Sequence, residues 1–80
     1  MPRLVVHVVD EFDGSPIRDA IVTVDGRREI TDRNGTAVFD LPKGTYTIEV
    51  RGQIIFPSVT GVNLTTDKAV EIRVSKRTWT

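Results

Sequence analysis

TDRNGTAVFDLPKGTYTIEV, Thr31 to Val50, reads as turn, strand, turn, strand. Asp32-Arg33-Asn34-Gly35 supplies a tight turn: the Asp32 and Asn34 side chains can bond nearby backbone, and Gly35 tolerates positive φ. Ala37, Phe39 and Leu41 then alternate with polar or smaller residues, which places one apolar face on a strand. Leu41-Pro42-Lys43-Gly44 forms a second turn, with φ pre-set at Pro42 and an unusual conformation open to Gly44. Tyr46, Ile48 and Val50 alternate with Thr47, Glu49 and Arg51, so a second strand follows. The two strands are expected to form a hairpin.

The same grammar extends in both directions. Upstream, Leu4 to Val9 is almost wholly apolar and β-branched, with His7 the one interruption, as in a strand covered on both faces. Asp10 to Pro16 is turn-rich. Ala20, Val22 and Val24 alternate with Ile21 and Thr23, and Asp25-Gly26 is a strong turn dipeptide. Arg27 and Arg28 fall to a solvated turn, followed by a short segment from Glu29 to Thr31. Downstream, Gly52 to Asn63 is the least regular part, because Pro57 demotes any central strand and Gly61 interrupts again, leaving a short strand at Val62 to Leu64. Val70, Ile72 and Val74 alternate as a final strand, and residues 77–80 read as a tail. No helical periodicity is sustained anywhere. The six or seven short strands predict an all-β fold, an antiparallel sandwich or barrel forming one domain over residues 3–76.

Composition narrows the chemistry. Eighty residues allow one domain. Eleven basic and eleven acidic residues cancel, which removes the electrostatic argument for nucleic acid, and no run is apolar enough to enter a membrane. With no cysteine, a disulfide framework, a thiolate metal site and a Cys nucleophile are all excluded. The compartment is open: cytoplasmic if the chain is complete, extracellular or cell-surface if it is excised from a longer one.

VVDEFDGSPIRDAIVTVDG, TDRNGTAVFDLPKGTYTIEV and the closing AVEIRVS resemble the carboxypeptidase regulatory-like domain, with Leu41-Pro42, Gly44 and Tyr46 as the most specific block. The resemblance implies an antiparallel seven-stranded Greek-key β-sandwich of transthyretin-like (prealbumin-like) type, acting as a spacer, folding adjunct or interaction module without an active site. LVVHVVDEFDGSPIRDAIVTV also resembles the start of 5-hydroxyisourate hydrolase, which implies a water-activating role at His7. The remainder of that motif set is missing. Thr36 stands where the hydrolases carry Arg, His7 is the sole histidine, and the closing Tyr-Arg-Gly-Ser is replaced by Arg77-Thr78-Trp79-Thr80.

The other candidates are weaker. Asp10, Glu11, Asp13, Asp32 and Asn34 are rich enough in oxygen for Ca²⁺, yet Lys43 occupies the place of the bidentate acid, and all five serve as turn formers. Carbohydrate stacking would rest on Tyr46, which is in phase with the core, and on Trp79 in the tail. No cofactor or metal is expected. If Leu4, Val6 and Val8 point inward, as the family register implies, then Val5, His7 and Val9 point outward, and Ile21 also faces away from the core. These four are the predicted interface, for a neighbouring domain or a second copy, unless Ile54 to Val59 covers the stripe.

Overall fold

The computed structural model describes residues 1–77; Trp79 lies outside them. Seven strands are present: β1 (Arg3–Asp10), β2 (Ile21–Val24), β3 (Arg27–Ile30), β4 (Thr36–Asp40), β5 (Gly44–Gly52), β6 (Ile55–Leu64) and β7 (Lys68–Val74). They form two facing sheets, one ordered β4-β1-β7 and the other β3-β2-β5-β6. The period-two pattern places the core between the sheets. Leu4, Val6 and Val8 of β1 meet Val22 and Val24 of β2 and Ile48 and Val50 of β5, all fully buried. Phe39, Leu41, Leu64, Ile72 and Val74 fill the remainder. Each such side chain contributes about 1.5–3 kcal/mol by leaving water.

The expected hairpin between β4 and β5 is not one. β4 pairs with β1, while β5 pairs with β2 and β6 in the opposite sheet. Both strands do turn the same apolar face inward, but from opposite sides of the core, so Leu41 to Gly44 is an arch across the sandwich. Tyr46 pins it, its hydroxyl donating to the Pro42 carbonyl at 2.6 Å. Gly44 has ordinary φ, since only Gly14, Gly26 and Gly35 among the glycines are positive. A side chain there would stand 3.6 Å from the Tyr46 ring.

The fold is not wholly antiparallel. β1 and β7 run parallel over seven residue pairs, Leu4 opposite Lys68 through Asp10 opposite Val74. Parallel neighbours need a long crossover, and here it is the rest of the molecule. Among the described residues only β2–β3 and β5–β6 are hairpins. The first turns on Asp25 and Gly26, both at positive φ, 52° and 76°, as a type I′ turn requires. It makes Arg27 and Arg28 part of a strand rather than of the turn, with Arg27 Nη1 donating to the Asp40 carbonyl at 3.1 Å.

β6 is one continuous strand of ten residues, where irregular chain was expected. Pro57 is tolerated because β6 is an edge, and a bulge in the pairing between Val50 and Gly52 takes up the offset. Beyond β7 the chain pairs with the start of β6: Phe56 N–H donates to Ser75 O at 2.9 Å and Arg77 N–H to Ile54 O at 2.6 Å. The Arg77 guanidinium lies 5.4 Å from the Phe56 ring centre. The two sheets are thereby stitched along one side.

Candidate interaction surfaces

The predicted interface residues do not form one surface. Val5 and His7 lie half-buried on the outer face of the β4-β1-β7 sheet, as expected of their phase. Val9 is in phase with them but is 2 % exposed, because the loop after β1 folds back and pairs Pro16 against it. Asp10 N–H to Ser15 O and Ile17 N–H to Val8 O, at 2.8 and 2.9 Å, hold that loop in place. Ile21 belongs to the opposite sheet, so the sandwich separates it from Val5 and His7. Nor does Ile54 to Val59 cover the Val5 stripe, because it too belongs to the opposite sheet.

On the first face Val5 is flanked by Val38 and Ala69, and His7 by Thr36 and Glu71. His7 Nδ1 meets the Thr36 hydroxyl at 3.3 Å. Glu71 engages Arg73 at 3.2 Å. The place beside the imidazole that the hydrolase motif gives to Arg therefore holds a short neutral hydroxyl.

Three of the carboxylates in the calcium set, Asp10, Asp13 and Asp32, are engaged in their own turns. Asp10 Oδ1 accepts Phe12 N–H at 2.7 Å, and its Oδ2 lies 3.4 Å from Lys76 Nζ. Asp32 Oδ1 accepts from Asn34 and Thr36 at 2.9 and 3.0 Å. Asp13 accepts Ser15 N–H at 2.9 Å; that bond, the Ser15 hydroxyl and the Lys76 charge hold its carboxyl below the ordinary 3.8. Among the described residues no cluster of three His, Cys, Asp or Glu side chains could hold a metal ion, and no helix is long and apolar enough to cross a membrane.

The second face carries more exposed apolar surface than the first. Ile21, Ile30, Ile54, Phe56 and Val59 are 37–67 % exposed, and all lie on the outer side or end of the β3-β2-β5-β6 sheet. An open groove of about 510 Å³ runs between Ile17, Ala20, Ile21, Ile30, Ile54 and Ile55, with Arg18, Asp19 and Gln53 at its rim. Gly52 keeps one wall thin; a β-carbon there would come within 3.0 Å of Ile55. Beside the groove Arg51 and Glu49 pair at 2.6 Å, and Arg28, opposite Thr23, adds an exposed cation to the same face. Sequence reasoning missed Ile30. Counting outward from the Asp25-Gly26 turn pairs Ile21 with Ile30, as observed, so the signal was there.

The carboxypeptidase regulatory-like domain model matches residues 3–76, and the chain belongs to that family. Its sandwich resembles a chain of a type II cohesin–X–dockerin complex (a C-terminal interface mutant) from Acetivibrio cellulolyticus, with TM-score 0.77 and 19 % identity, covering 92 % of this chain and 57 % of that one. It also resembles the Bacillus anthracis TIE protein, TM-score 0.72 and 21 % identity, covering 94 % and 17 %. The Klebsiella pneumoniae 5-hydroxyisourate hydrolase is similar as well, at TM-score 0.72 and 18 % identity, over 100 % and 90 %. The chain thus spans little more than half of the first of these structures and under a fifth of the second. A search of curated proteins finds no significant match.

Proposed function

We propose that this domain is a non-catalytic interaction module, which docks a partner protein on the outer face of the β3-β2-β5-β6 sheet. The observation that carries this reading is the concentration of exposed Ile21, Ile30 and Ile54 around one open groove. Isolated surface hydrophobics need no explanation, but a contiguous group beside a concavity marks a contact site. The occupant is a protein segment with an aliphatic or aromatic anchor for the groove and hydrogen-bonding groups for the Arg51–Glu49 pair. Such buried anchors, ringed by polar contacts, carry most of the energy in protein interfaces.

A test is selection of binders from a displayed random-peptide library. Enriched peptides should carry an aromatic or aliphatic anchor and lose binding at least tenfold to Ile30→Lys and Ile54→Lys, while Val5→Lys leaves it unchanged. Peptides that are sensitive to Val5→Lys and indifferent to the other two would overturn the assignment. The non-catalytic half is tested with 5-hydroxyisourate itself. Its decay should proceed at the spontaneous rate with the chain present, and a rate that rises with the chain and falls with His7→Ala would reverse that half. The reading is supported by the Thr36 hydroxyl beside His7 in place of a cation.

A further inference from the structure

β6 borders its sheet, and its open side can be traced residue by residue. The Asn63 carbonyl accepts Lys68 Nζ at 3.0 Å from the β7 side, so Asn63 turns its backbone groups away from β5. Alternation along the strand gives Gly61, Val59 and Pro57 the same orientation. Pro57 has no N–H to present, and the start of β6 is taken by Ser75 and Arg77. Among the described residues this leaves Val59 and Gly61 with both N–H and C=O open, flanked by the Pro57 carbonyl and the Asn63 N–H. Edges are normally guarded by charge. Here the fifteen residues Gly52 to Thr66 contain no charged side chain, in a chain that is 28 % charged.

We propose that this edge pairs with the same edge of a second copy, antiparallel about a two-fold axis at Thr60. In that register Val59 lies opposite Gly61 of the second copy. Both residues face the open side, so each such pair exchanges two hydrogen bonds, four in all. The side chains fit as well. Val59 is 67 % exposed, and a β-carbon on Gly61 would meet nothing within 4 Å. Each valine therefore rests over the bare backbone of the other copy's glycine. A two-fold axis brings each residue near its own equivalent, which a charged edge would resist and this neutral one does not. The ladder also closes at its ends, because Pro57 lies opposite Asn63 and can accept the Asn63 N–H but has no N–H to return, and the Asn63 carbonyl is already bonded to Lys68. The contact is isologous and closed, giving a dimer with one eight-stranded sheet rather than a filament.

This pairing is independent of the groove and is tested separately. The chain has no cysteine, so Thr60→Cys introduces a single thiol at the axis, where α-carbons about 4.5 Å apart allow a disulfide. Mild oxidation should link Thr60→Cys into a covalent dimer, and leave Thr47→Cys on the neighbouring strand monomeric. The unmodified chain should shift from monomer to dimer mass over a concentration series by light scattering, and Val59→Lys should weaken that dimer at least tenfold. The melting temperature of Val59→Lys at low micromolar concentration should match that of the parent chain. A monomer mass up to millimolar concentration overturns the proposal, as does a Thr60→Cys chain that oxidises no faster than Thr47→Cys. So does a dimer that Val59→Lys leaves intact, and if Val5→Lys dissociates it the contact belongs to the other sheet.

Discussion

Thr31 sits at 2 % exposure where the two sheets meet the β1–β2 connection. Its hydroxyl donates to the Ile17 carbonyl at 2.7 Å and accepts the Ala20 N–H at 2.9 Å. Thr31→Val keeps the shape and orphans both backbone groups, so it should cost about 2–3 kcal/mol, read as a lower denaturant midpoint with unchanged slope. Gly35 is bound by space as well as conformation. At φ 75°, a β-carbon would stand 2.6 Å from the Val8 carbonyl oxygen. Gly35→Ala should lower stability by about 2 kcal/mol or more. Asp13 contributes a pH dependence of known sign. Its folded carboxyl lies below the ordinary value because of Ser15 and Lys76. The stability it contributes is therefore complete above about pH 4 and is lost as pH falls through the folded value. A carboxyl-carbon NMR titration should place its midpoint below 3.8, and Asp13→Asn should flatten the acid limb of stability against pH.

Among the elements, the arch between β4 and β5 shows what sequence can and cannot convey. Alternation at Ala37, Phe39 and Leu41 and at Tyr46, Ile48 and Val50 made both strands and their inner faces legible. It could not say which sheet each joins, because alternation reports a face and not a neighbour. The same gap hid the parallel β1–β7 pairing, a contact between the two ends of the chain with no local signature. β6 was obscured differently: Pro57 and Gly61 argue against a central strand and are harmless on an edge. Val5 and His7 were placed correctly by phase, whereas Val9 was not, because a loop packs where phase predicts solvent. The arch carries its own prediction. Tyr46→Phe removes the bond to Pro42 and should cost about 1 kcal/mol in chemical denaturation, with the fold intact by NMR.

At the scale of the whole molecule the sandwich is elongated, 44 Å long and under 20 Å in its other dimensions. Its outer faces differ: one centres on half-buried Val5 and His7, the other on exposed isoleucines around a groove. Parallel pairing of β1 with β7 also means that the chain enters at one pole, beside Thr65 to Asp67, and leaves toward the other, beyond Val74. A pull on the two ends draws β1 and β7 past each other along their length. Hydrogen bonds so arranged carry force together, whereas those of a hairpin pulled at its open end break one at a time. Stretched end to end, this domain should yield in a single high-force step, and His7→Pro, which removes an N–H that β1 turns toward β7, should abolish that step. Tension, rather than heat or denaturant, is the stress that the β1–β7 pair is placed to resist.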